Sequence, residues 1–205
     1  MNRTDYYNEM KRLARQIRAD YGFSGQRILR SDLRRIYRHL GIRIDLWPHK
    51  FKKLRGAYFY DDLGATVMLQ RGLPEDPMVF TMAHELKHHL ADRDRGMIYC
   101  DPSNQNEMIE IGAEVFAAEF IFPEEDFRRS MVERRIGLGR CRAEDLVHLK
   151  HETRTTLSYA GLVKRAEFLG YAAPGSLANV RWRDLDERLY GEPRYKLILR
   201  RRALA

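Results

Sequence analysis

Cysteine is scarce in this chain: only Cys100 and Cys141 occur in 205 residues. They form no Cys-x-x-Cys pair, which argues against a disulfide framework and against a cysteine-built structural zinc. The expectation is two reduced thiols in a cytoplasmic protein. Long apolar runs are also missing. No stretch of 18 apolar residues occurs, so no membrane-spanning helix is expected. The opening residues, Met1 to Glu9, carry no apolar signal segment. Zinc-finger spacing and aromatic-interleaved RNA signatures are absent too. What is present is ample hydrophobic content, 44%, in a chain long enough for one domain with a core and a small appendage.

Charge is unevenly spread. The formal net charge of +8 divides into +10 over residues 1–60, −6 over 61–180 and +4 over 181–205. Basic ends flank an acidic centre. Such ends can attract nucleic acid or an acidic protein. A solvated, arginine-rich surface is the favoured reading, with nucleic acid as a partner not favoured.

Within the acidic centre lies His84-Glu85-Leu86-Lys87-His88. On a helix, positions i and i+4 share a face, about 5–6 Å apart at Cβ. Two imidazoles so placed can reach one Zn²⁺ at ~2.0–2.1 Å. Glu85 is rotated about 100° from His84 and can reach a water on the metal. This is the HExxH arrangement of zinc peptidases. Asp76-Pro77 predicts the helix start, an N-cap acceptor followed by proline at the first helical position. Val79, Met82, Ala83, Leu86 and Leu90 fall on one side of the helical wheel, with the His pair nearly opposite. Lys87 and His89 sit on the flanks and read as structural or solvated.

Catalytic zinc needs a third protein ligand. The run from Glu107 to Pro123 predicts a second helix, ended by the proline. Glu110 and Glu114 share one face at i, i+4, and either carboxylate could serve. Two carboxylates on an otherwise apolar helix are costly unless paired or bound to metal. Glu119 falls about 180° from Glu110 on the wheel and is expected to be solvated. Gly112, Ala113, Ala117 and Ala118 would let this helix approach its neighbour closely.

The two stretches Phe80–Leu90 and Glu110–Pro123 together resemble the ImmA/IrrE family of zinc metallopeptidases. The resemblance implies His84, His88 and Glu110 as zinc ligands and Glu85 as the catalytic carboxylate. Members of this family often have Asn or Asp where this chain has Glu114, a departure that leaves Glu114 as a second carboxylate beside the metal or as an alternative ligand. The resemblance further implies a zincin-like core, a Zn²⁺ cofactor and a specific protein substrate, a helix-turn-helix transcriptional repressor. A metal-binding or non-catalytic module that binds a repressor or DNA without cleavage is the alternative.

The rest of the chain predicts an α+β layout. Asp5 to about Tyr21 reads as a helix. Ser31 is placed to cap a second helix, stopped by Gly41. Ile42–Trp47, Gly56–Tyr60 and Ala65–Gln70 read as the strands of a small β-meander. An edge strand beside the cleft could hold an extended peptide by backbone pairing. Residues 1–125 are read as the peptidase core and 126–171 as a helical subdomain resembling a helix-turn-helix. That subdomain has a helix at Ala143–His151, then a second capped by Thr155 or Thr156. Residues 172–205 are read as a linker and basic tail. A donor to the oxyanion is expected, with Tyr60, Tyr99, His148, His151 and Arg165 as candidates. Oligomeric state does not follow from the sequence.

Overall fold

The computed structural model describes residues 2–25, 27–48, 56–95, 97–99 and 107–192, with backbone alone at 95 and 97–99. Cys100, the Lys196–Arg200 segment and the closing arginines lie outside these residues. Among the described residues there are eight α-helices and a four-stranded sheet, so the α+β class holds. By backbone contact the chain divides into two units. The first is Met1–Arg128 with Thr153–Ser158; the second is Arg129–Glu152 with Tyr159–Ala205.

The first unit begins with α1 (Arg3–Asp20) and α2 (Arg30–His39). Helix α1 is capped by Asn2, whose side chain accepts from the Asp5 amide at 2.9 Å. Helix α2 starts one residue before Ser31, which therefore lies inside the first turn and is not the cap. Asp32 does the terminal work instead, accepting from the Leu29 amide at 2.8 Å. Strands β1 (Arg43–Trp47), β2 (Gly56–Asp61), β3 (Gly64–Gln70) and β4 (Met97–Tyr99) form a sheet in the order β1-β3-β2-β4. Strands β2 and β3 make an antiparallel hairpin, and β2 pairs antiparallel with β4. Strand β1, however, pairs in parallel with β3. The sheet is thus small, as expected, but mixed in direction. A parallel neighbour needs a crossover connection, which strand periodicity alone does not reveal.

Strand β3 alternates strictly, burying Ala65, Val67 and Leu69. This is the period of a strand with one face on a core. That core includes α3 (Glu75–Ala91), which packs on α2, β2 and β3 and against α4 (Met108–Ile121). Helix α1 covers another side of α4. The α3 start falls at Glu75, after Pro74, one residue before Asp76. Pro77 is tolerated because first-turn amides have no intrahelical acceptor.

Helix α4 lies between α1 and α3, which overturns the expectation that Glu119 is solvated. Glu119 is 1% exposed; its Oε1 accepts from Arg15 of α1 at 2.9 Å and its Oε2 from the Glu124 amide at 3.0 Å. Close approach is visible at Gly112, where an added Cβ would stand 2.5 Å from the Tyr6 ring of α1. The small residue required there is a packing requirement of α4 against α1.

Helix α5 (Glu124–Glu133) is shared between the units. The second unit contains α6 (Ala143–Thr153) as far as Glu152, α7 (Tyr159–Phe168) and α8 (Trp182–Tyr190). Thr155 and Thr156 do not cap α7. Both are buried in the first unit, where Thr156 Oγ1 donates to the Ile28 carbonyl at 2.9 Å. Helix α8 lies in the segment read as tail. Its Asp186 accepts from Tyr159 and lies 3.0 Å from His151 Nε2, while Trp182 stacks on Tyr159 at 4.9 Å. Cys141 is a buried free thiol, and burial pushes its pKa up to about 12. No helix among the described residues is long and apolar enough to cross a membrane.

Candidate metal centre

The helical spacing of His84 and His88 does place both rings on one face of α3. Their Nε2 atoms lie 3.2 Å apart. Glu110, from the first turn of α4, brings its carboxylate to the same point. Oε2 is 3.2 Å from His84 Nε2, and Oε1 is 3.6 Å from His88 Nε2. All three residues are buried, and one ligand atom from each falls within 4.8 Å of the other two. Helix α3 is therefore not a helix with one apolar face and one open face. It is buried from Thr81 through His89, because α4 and the sheet cover what α2 does not.

The donor set fits a tetrahedrally bound divalent metal. Ligand nitrogens at ~2.0–2.1 Å from such an ion stand about 3.3 Å apart, close to the separations found here. The tautomer also fits. Asp92 Oδ2 lies 2.8 Å from His88 Nδ1. A carboxylate can only accept, so Nδ1 carries the proton and Nε2 presents its lone pair to the other two ligands. Burial holds His88 below its ordinary pKa, against the raising effect of Asp92. Burial also pushes His84 down, but its hydrogen bond to Glu110 and the charges of Glu85, Glu110 and Glu114 prevail and raise it.

Glu85 is buried and takes no hydrogen bond from a described residue. Desolvation lifts its pKa to about 7, with the Glu110 charge adding to the rise and His84 opposing it. Its carboxylate lies against the start of β2. A Cβ on Gly56 would stand 2.8 Å from Glu85 Oε1 and 2.6 Å from Thr81 Cγ2. Glycine is needed at that strand end for the backbone to come so close.

Glu114 is exposed and outside the cluster, although its charge reaches His84. Of the two readings left open for Lys87, structural or solvated, the structural one holds: it is wholly buried. His89 is buried too, with its Nδ1 3.1 Å from the Tyr58 hydroxyl. Tyr60 is engaged by Arg93, whose Nη2 donates to its hydroxyl at 2.5 Å. The Tyr99 side chain is not among those described. His148, His151 and Arg165 belong to the second unit. Asp92 was missed by the sequence reading. Its signal was present: an acid four residues after His88 on the same helical face.

Two buried histidines and a carboxylate, gathered from two helices with the buried Glu85 alongside, form a group that could hold a metal ion, the arrangement found in metal-dependent hydrolases. Residues 39–167 match the family model of the IrrE N-terminal-like domain, a peptidase family, and the chain belongs to that family. No curated protein matches the chain significantly.

Proposed function

We propose that this protein is a zinc-dependent endopeptidase that cleaves one specific protein, a helix-turn-helix transcriptional repressor, in the cytoplasm. The observation that carries the reading is the convergence of His84 Nε2, His88 Nε2 and Glu110 beside Glu85, all buried. Family membership supports peptide hydrolysis over other zinc-assisted hydrolyses. The repressor as substrate rests on the family resemblance of the two motif helices.

His84, His88 and Glu110 would hold the metal, and Asp92 would fix the His88 ring for it. Bound there, zinc supplies Lewis acidity that polarises a peptide carbonyl and acidifies a water. Glu85 takes the proton from the attacking water on a carboxylate oxygen and delivers it to the leaving amine. A carboxylate with a pKa near 7 suits both halves of that task at neutral pH. Burial excludes bulk solvent and strengthens each of these electrostatic effects.

Two measurements test the reading. Metal analysis of the purified protein should find one zinc per chain. Incubation with the repressor encoded beside its gene should yield two discrete fragments, and Glu85→Gln should retain zinc and yield none. An uncut repressor under every metal condition would overturn the substrate. A metal-free protein whose repressor binding survives His84→Ala would favour a non-catalytic binding module.

A further inference from the structure

The Lys87 side chain lies between the two metal-binding helices and has no solvent exposure. Its Nζ donates to Asp92 Oδ2 at 2.5 Å and to the Ile109 carbonyl at 3.1 Å, and it stands 5.5 Å from the centre of the Tyr6 ring. The same Asp92 oxygen receives His88 Nδ1 at 2.8 Å. The Ile109 carbonyl belongs to the residue immediately before Glu110. One ammonium thus touches the orienter of the α3 ligand and the backbone that carries the α4 ligand. Burying an ammonium is costly unless its protons are taken up by acceptors. Here two good acceptors are supplied, both leading to the triad.

We infer that Lys87 is a positioning residue that sets metal affinity by locking His88, through Asp92, and Glu110, through Ile109, into one geometry. The inference rests on the metal reading above. It makes a prediction opposite to that of charge alone. Removing a cation from beside a cation site should tighten metal binding by Coulomb's law. Removing a strut should loosen it.

The charges nearby make the contrast sharp. Glu85, Glu110 and Asp92 are buried acids, and Lys87 is the buried ammonium among them. With all three acids ionised, a divalent ion brings this group to neutrality. Lys87→Met leaves one negative charge in excess, so electrostatics favours metal more strongly in the variant. Weaker binding in the variant then points to lost geometry.

The test is zinc affinity by chelator competition, with the Co²⁺ absorption spectrum as a second readout of ligand geometry. Neither needs substrate or turnover. Lys87→Met is expected to bind zinc about 10- to 100-fold more weakly, in the range seen when partners of metal ligands are removed. Its Co²⁺ bands should broaden and shift. Asp92→Asn should lose affinity similarly, and the double variant should be little worse than either alone, as for residues acting as a unit. Equal or tighter zinc binding by folded Lys87→Met overturns the inference while leaving the metal site intact. Wild-type protein that binds no zinc sinks the metal reading beneath it. Should Lys87→Met fail to fold, Asp92→Asn decides: wild-type affinity and spectrum there would overturn the coupling.

Discussion

The chain contains two pairs of histidines on helices, and they differ in what surrounds them. His84 and His88 are four apart on α3. They are buried, their Nε2 atoms face each other, and carboxylates stand at both ends of the set. His148 and His151 are three apart on α6. His148 Nδ1 lies 2.9 Å from the Tyr190 hydroxyl, while His151 stacks on the Tyr190 ring at 3.6 Å and meets Asp186. Each ring of the second pair is thus engaged by α8. Spacing alone does not make a metal centre. Burial, a third donor from another helix and an acid on the far ring nitrogen do.

The sharpest way to break this contrast is at Glu85. Glu85→Gln should lower peptide cleavage by about 10²- to 10⁴-fold, the usual weight of a general acid–base group, with zinc content unchanged. Replacement of His148 and His151 by alanine should leave cleavage and zinc content within twofold of wild type. Loss of zinc in that double variant would erase the distinction between the pairs.

Gly56→Ala tests the site from the strand side. The new methyl meets Glu85 Oε1 and Thr81 Cγ2 well inside contact distance. Turnover should fall by roughly 10- to 100-fold, as small misplacements of a reacting group do, while zinc binding persists. An unaltered kcat would mean that Glu85 needs no fixed position.

Stability separates the two regions further. Glu119→Ala removes the acceptor of Arg15 and of the Glu124 amide from a buried position. It should cost about 1–3 kcal/mol, read as a lowered midpoint in urea. Tyr190→Ala removes an exposed ring stack on His151 and one exposed hydrogen bond with His148 in the second unit, and should cost about 1 kcal/mol. The smallest effect concerns Cys141. Its raised pKa keeps the thiol protonated at neutral pH. A thiolate-directed alkylating reagent at pH 8 should therefore label it far more slowly in the native protein than in urea.

The convergence of His84 and His88 was legible in sequence because it depends on local periodicity. The i, i+4 spacing fixed the relation of His84 to His88, and the wheel put Glu110 on a face with Glu114. Which of the two carboxylates reaches the imidazoles depends on where α4 crosses α3, and only the fold supplies that. Glu119 was misjudged for the same reason, and the structural reading of Lys87 could not be separated from the solvated one. A charged residue reads as solvated until a partner element covers it, and for Glu119 the covering residue, Arg15 of α1, lies 104 positions away in sequence. The parallel pairing of β1 with β3 was hidden because both strands show ordinary alternation, which is silent about direction. Ser31 and Asp76 misled by a residue or two, since several polar residues near a helix start compete for the terminal amides.

Helix α1 lies entirely before residue 39, where the family match begins. Yet it lies against α4, lends Arg15 to Glu119 and seats Tyr6 over Gly112. A polypeptide trimmed to the matched boundary would keep His84, His88 and Glu110 and still bare the flank of the helix that presents Glu110. The matched segment is thus not packed by its own residues alone: the helix that carries Glu110 rests on a prefix outside the family match.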